Sequence, residues 1–164
     1  MKTLFCQAVL ASQLDTARKQ ALTAESNRKQ ASEAFKRVEK EVHNLVRQAH
    51  NALEATFINE PEKAQAWGFV VRQTGRTAGR ILMPRGRDEL LLTLNIYIEK
   101  EQTRPEADRF HLPTLTNMIT ARDALNDHLK NRKEQLRLRK QANAQRANFS
   151  KQTRKLLKEA AAYL

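Results

Sequence analysis

The sequence predicts a mainly α fold: two long antiparallel helices, a helical hairpin resembling a coiled-coil bundle, with a small β-hairpin-plus-helix head inserted between them. Three observations carry this. The first third, from about Thr3 to Phe57, contains neither glycine nor proline. No proline or glycine follows Pro113. All four glycines, Gly68, Gly75, Gly79 and Gly86, fall between Trp67 and Arg87. The corresponding parts are a helix over 1–58, a head over 59–112 and a basic helix over 113–164, forming one structural unit.

In the first helix one series advances by steps of three and four: Leu10, Leu14, Ala17, Ala21, Ala24, Arg28, Ala31, Phe35, Val38, Val42, Leu45, Ala49, Ala52. Such steps keep one stripe facing a partner helix, and the rod would be roughly 80 Å long. Arg28 alone is polar. It is read as a side chain reaching solvent over its apolar stem, the sharper alternative being a register-setting residue with an acidic partner. Lys2 followed by Leu4, Phe5, Val9 and Leu10 has some features of a secretory signal. Gln7 interrupts the apolar run and Leu10 already belongs to the seam, so a retained helix start is expected.

Asn59, Pro61 and Glu62 form a helix-start pattern with Asn59 as N-cap, opening a short helix through Ala66. Phe69-Val70-Val71 and Ile81-Leu82-Met83 read as strands around a loop over 74–79. A helix continuing to Ala78, with Trp67, Val71, Thr74 and Ala78 on one face, is the alternative, and its glycines oppose it. Trp67, the single tryptophan, is expected to anchor the head onto the long helices. After a turn at Pro84–Arg87, Asp88 caps a helix over 88–102 with Leu91, Leu94 and Ile98 buried. Alternation at Leu90, Leu92, Leu94, Ile96 and Ile98 also fits a strand, but Asp88 and Glu89 at the start favour the helix. Thr103-Arg104-Pro105-Glu106 repeats the capping pattern before Phe110.

From Pro113 a second seam runs through Leu115, Met118, Leu125, Leu129 and Leu136. It weakens at Arg139, Asn143, Arg146, Ser150 and Thr153, and resumes at Leu157, Ala160 and Leu164. This helix would be roughly 75 Å long. Folding one helix back on the other pairs residues whose numbers total about 170, which sets Ala17–Ala24 against Arg146–Thr153 and Phe35 and Val38 near Leu136. Val46, Leu53, Ile119 and Phe149 lie off both seams, so either the head covers them or a second copy completes a four-helix bundle. A homodimer is the default expectation.

The chain carries 30 Lys and Arg against 18 Asp and Glu, a formal charge of +12, with a pI near 10.3. Aromatics are 5% of it, so burial must come from helix stripes more than from a compact apolar core. Lone Cys6 excludes an intrachain disulfide and a cysteine-based metal site, and it suits a reducing cytoplasm. No apolar run approaches the ~18 residues that span a bilayer.

Neither enzyme chemistry nor a metal or cofactor is expected. Glu39/His43 and His50/Glu54 read as surface pairs at i, i+4. Asp123, Asp127 and His128 complete no ligand set with them, His111 joins none, and no Glu-x-x-His occurs. The serines lie in helical patterns. Gly75-Arg76-Thr77-Ala78-Gly79 has neither the spacing nor the lysine of a phosphate-binding loop.

Basic clusters remain. After Pro113 twelve Lys and Arg face four acids, so +8 of the +12 lies there. Arg132, Arg139 and Arg146 recur every seven residues as one stripe, with Lys133, Lys140 and Lys151 beside it, and these six are the candidate polyanion-binding residues. In the head, Arg72, Arg76, Arg80, Arg85 and Arg87 stand without an acid among them and are the candidate contact surface, suited to bidentate pairing with phosphate or carboxylate. The functional expectation is a scaffold or adaptor working through helix assembly and this arginine-rich surface toward a protein partner. The alternative is a protein that holds the backbone of DNA or RNA without reading sequence.

Overall fold

The computed structural model describes the backbone of residues 2–162 and the side chains of 9–159 and 161–162. The expectations for Cys6, for the apolar residues preceding Val9, and for Ala160 and Leu164 lie outside the described side chains. The fold is mainly helical, with two long helices packed together and a small two-stranded sheet and short helix beside them. In order come α1 (Lys2–Thr56), a 3-10 helix (Pro61–Trp67), β1 (Val70–Val71), β2 (Ile81–Leu82), α2 (Arg87–Thr103), a 3-10 turn (Glu106–Asp108) and α3 (Leu115–Ala161). Two compact units result. One comprises 1–34 with 129–164, the other 35–128. We call them the stem and the head unit.

Every member of the α1 seam from Leu10 to Ala52 is buried or half-buried. In the stem its floor is alanine, with Ala17, Ala21 and Ala31 buried against α3. Small side chains let two helix backbones approach closely and contribute little apolar area. A two-helix element built this way leans on polar pairing, and Glu25 supplies it. It receives Arg28 at 2.8 Å from its own helix and Arg139 at 2.5 Å from α3. Arg28 therefore has the acidic partner of the sharper reading, although the pairing that crosses between helices is made by Arg139.

The α1–α3 register differs from expectation. Glu25 meets Arg139, numbers totalling 164 instead of about 170. Leu136 is 39% exposed and Leu157 59%, so neither continues the seam. The half-buried positions of α3 run through Arg132, Gln135, Arg139, Ala142, Asn143, Phe149, Ser150, Thr153 and Leu156. The cause is geometric: a strict seven-residue repeat drifts by about 20° per heptad around a helix of 3.6 residues per turn. A series counted forward from Leu115 thus keeps Arg139, Asn143, Ser150 and Thr153 half-buried but has left the contact line by Leu157, where Leu156 takes its place.

In the head unit α1 buries a second stripe, Val46, His50 and Leu53, beside the seam residues Phe35, Val42 and Ala49. The hairpin covers part of it. β1 and β2 pair antiparallel, Val70 with Leu82 and Val71 with Ile81. His50 Nε2 lies 3.0 Å from the Ile81 carbonyl oxygen. A carbonyl only accepts, so that nitrogen carries the proton. His50, 9% exposed, is therefore a buried clasp on β2, while its Nδ1 keeps the expected neighbour one turn on, 3.6 Å from exposed Glu54. Gly68 ends the 3-10 helix at φ +82°, and a Cβ there would stand 2.9 Å from the Ile96 Cβ. Only glycine permits both that backbone and that approach to α2.

Several helix starts differ in detail. Glu60, not Asn59, precedes the 3-10 helix, which extends to Trp67, and no side chain caps it. Gly86 precedes α2, with Asp88 inside its first turn. Thr103 donates to the Lys100 carbonyl and does not cap the next turn. At α3 the hydroxyl of Thr114 accepts from the Asn117 amide, 3.2 Å away. The buried face of α2 is Leu90, Thr93, Leu94, Tyr97, Ile98 and Glu101, with Leu91 only half-buried.

Glu101 organises the head unit. Its carboxylate is 1% exposed and accepts from Trp67 Nε1 at 2.8 Å, Arg104 Nη1 at 2.7 Å and the Phe110 amide at 2.9 Å. Trp67 packs against Phe57 and Phe110, with ring centroids 5.2 and 6.0 Å away, and the Arg104 guanidinium lies 5.6 Å over the Trp67 ring. Trp67 is thus an anchor within the head, tying the 3-10 helix to α2 and Phe110, and not the link to the long helices that the sequence suggests. The tyrosine one turn earlier is less well served. The Tyr97 hydroxyl is buried with no hydrogen-bond partner, and its phenol is pushed far up by burial first and by the Glu101 carboxylate second.

Candidate nucleic-acid interface

The charge of the chain is concentrated in the stem. Its residues include sixteen Lys and Arg and five Asp and Glu, a balance of +11, while the head unit has fourteen against thirteen, a balance of +1. The site is therefore sought on the stem, and the packing of α3 sorts its cations into two sets.

Arg132 and Arg139 turn toward the α1–α3 contact. Arg132 is half-buried and engaged within the fold. Arg139 is held by Glu25. The Glu25 carboxyl is lowered below its usual range, chiefly by the Arg28 hydrogen bond and also by the Arg139 charge, so it remains the counter-ion of both. Arg146, in contrast, is exposed. With Leu14, Arg18, Leu22, Ala147 and Ser150 it lines a shallow cleft of about 440 Å³.

Lys133, Lys140 and Lys151 are all exposed, and Lys158 joins them. At 100° per residue these four fall within about 20° of one another around α3. They form one row roughly 38 Å long. Exposed Arg154 and Lys155 flank its end, with Lys155 3.8 Å from Glu159. Arg137 is tied to Glu134 through two hydrogen bonds of 2.7 and 2.8 Å. Of the six residues singled out in the sequence, the structure thus brings Lys133, Lys140 and Lys151 onto one open face. Arg146 lies away from that row in the cleft with Leu14, Arg18 and Leu22, while Arg132 is half-buried and Arg139 turns to Glu25. Lys158 is the member the sequence reading missed. Its spacing of seven from Lys151, repeating the seven from Lys133 to Lys140, was the available signal.

The five head arginines do not act alike. Arg87 is drawn inward, 2.9 Å from Glu39 and stacked 4.5 Å over the Phe35 ring. Arg72 donates to the Thr77 hydroxyl at 2.7 Å and shapes the hairpin loop. Arg76, Arg80 and Arg85 are exposed.

Among the described residues no three His, Cys, Asp or Glu side chains converge as a metal site. No helix among them is long and apolar enough to cross a membrane. Compared with protein-family models, curated proteins and solved structures, the chain matches none.

Proposed function

We propose that this chain is a non-enzymatic helical scaffold that works as a homodimer and holds the backbone of double-stranded nucleic acid along the lysine row of its stem. The observation that carries the reading is the sorting of charge. The stem has a balance of +11. Its inward arginine Arg139 is spent on Glu25, whereas Lys133, Lys140, Lys151 and Lys158 stand exposed in one line. Lysines in a line suit a regular array of phosphates and read no sequence. Among the described residues no aromatic lies beside this row, since Phe149 projects from the opposite side of α3, so stacking on single-stranded bases is disfavoured.

Fluorescence anisotropy with a mixed-sequence duplex tests the reading. Replacing all four row lysines by Gln is expected to weaken binding at least tenfold at low salt with helicity unchanged. Unaltered binding would refute it. A second reading rests on the hairpin. Exposed Arg76, Arg80 and Arg85, in a segment lacking acids, suit an acidic protein partner, and Arg76→Ala with Arg80→Ala would then abolish that capture while leaving duplex binding intact.

A further inference from the structure

The side of the stem opposite the lysine row is free of charge to a degree its composition does not explain. On α1, Gln13, Thr16, Gln20, Thr23, Asn27 and Gln30 advance by alternating steps of three and four, and all six are exposed. On α3, Gln135, Leu138, Ala142, Gln145, Phe149 and Gln152 do the same, each exposed or half-buried. Of the 70 residues of the stem 21 are charged, so among any twelve positions three or four would be; here none is.

The two stripes lie on one side of the helix pair. Thr16, Gln20, Thr23 and Asn27 share a groove of about 360 Å³ with Gln135 and Leu138. Gln13, Thr16 and Gln20 share another, of about 430 Å³, with Gln145 and Phe149. Lys19 also lines the first, the one charged residue in either groove. Leu138 is 36% exposed, and Gln135 already reaches Asn131 at 3.4 Å along the stripe.

We infer that this uncharged side is the surface on which a second copy of the chain docks, so that two stems form a four-helix bundle with their lysine rows outward. The inference rests on the homodimer proposed above and names its interface. Three features select the occupant. Steps of three and four on both helices are the spacing another helix pair requires, and a phosphate backbone does not. A stem of +11 repels its own copy everywhere except where charge is missing, whereas an acidic partner would be drawn to the opposite side. The area also suffices. Extended to Val9 and Ala34 on α1 and to Asn131 and Leu156 on α3, the stripes cover roughly 38 by 20 Å, about 750 Å² per copy, close to the ~800 Å² a partner contributes to a standard interface. Such a pairing is isologous, and amide side chains within it fix register at a cost in affinity.

The test is light scattering over a concentration series, on the full chain and on two double variants of exposed residues. Gln20→Lys with Gln145→Lys places four like charges in the dimer seam and is expected to weaken dimerisation at least ~100-fold, giving the 18.9 kDa mass of one chain with unchanged circular dichroism. Lys140→Gln with Lys151→Gln, on the other side, should leave the dimer intact. A dimer that survives the glutamine-to-lysine pair overturns the assigned surface while sparing the homodimer. A full chain that stays monomeric at 100-fold the concentration used for duplex binding overturns both.

Discussion

Replacing Glu101 by alanine removes the acceptor of three buried donors at once. The Trp67 indole, the Arg104 guanidinium and the Phe110 amide each lie within 2.9 Å of its carboxylate, and the carboxylate is 1% exposed. Truncation strands the indole N–H and the Phe110 N–H, at about 1–3 kcal/mol apiece. It also unpairs a partly buried guanidinium, and breaking a buried ion pair from one side typically costs about 3–5 kcal/mol in all. We therefore expect a loss of roughly 4 kcal/mol and, for a unit of this size, a fall in melting temperature of roughly 20 °C. The assay separates the two units. Trp67 is the single tryptophan, so its fluorescence follows the head unit, while circular dichroism at 222 nm follows all helices. The fluorescence transition should move by the full amount. Trp67→Phe provides the cycle, read by circular dichroism throughout because that background has no tryptophan: in it Glu101→Ala should lose at least ~1 kcal/mol less, because one stranded donor is gone. A loss below ~1 kcal/mol for Glu101→Ala, or strict additivity with Trp67→Phe, would refute the role assigned to this carboxylate.

Three further predictions follow from the same packing. Gly68→Ala puts a Cβ at φ +82° and 2.9 Å from Ile96, and should destabilise the head unit by roughly 3 kcal/mol in chemical denaturation; a change under ~1 kcal/mol would show that neither the backbone nor the approach requires glycine. Tyr97→Phe deletes a buried hydroxyl that has no partner and should be neutral or stabilising by up to ~1 kcal/mol, so that a loss above ~1 kcal/mol in the same assay would expose a hydrogen bond on that hydroxyl. Glu25, whose carboxyl is lowered by Arg28 and then Arg139, stabilises the stem while ionised. Its contribution is present above the ordinary carboxyl range and lost as pH falls through the lowered value. The melting difference between the protein and Glu25→Gln should accordingly be greatest near neutrality and shrink as pH falls below the ordinary carboxyl range, and a difference independent of pH would contradict the pairing.

Much of the architecture was legible because it depends on local signals. The steps of three and four from Leu10 to Ala52 mark the buried stripe of α1 residue by residue. The glycines and β-branched residues after Trp67 mark the hairpin. What was not legible depends on where a helix is rotated and on what folds over it. The seven-residue spacing of Arg132, Arg139 and Arg146 gives a common stripe but not its direction, and it was Glu25 on α1 that claimed Arg139. His50 lay on a solvent-facing position until β2 offered the Ile81 carbonyl. Glu101 was nearer to hand. Continuing the α2 face from Leu94 through Tyr97 and Ile98 by one more step lands on it, and a carboxylate on an apolar stripe announces buried donors. The uncharged side of the stem was equally present in the sequence, as glutamines at helical spacing, but its meaning appeared only when α1 and α3 brought their two stripes to one side.

The central claim is that the outward lysines, and not the inward arginines, hold the polyanion. The salt dependence of duplex binding measures it most directly, because the slope of log K against log salt counts the phosphates neutralised, at about −0.9 for each. Measured on a short duplex that one stem occupies, in the monomeric Gln20→Lys, Gln145→Lys background, with one row per molecule, the slope should be steeper than about −3. Converting Lys133, Lys140, Lys151 and Lys158 to Gln should flatten it by about three or more. Arg139→Gln, which removes a cation already paired with Glu25, should leave the slope unchanged. Equal flattening by Arg139→Gln, or a slope indifferent to the four lysines, would contradict the account.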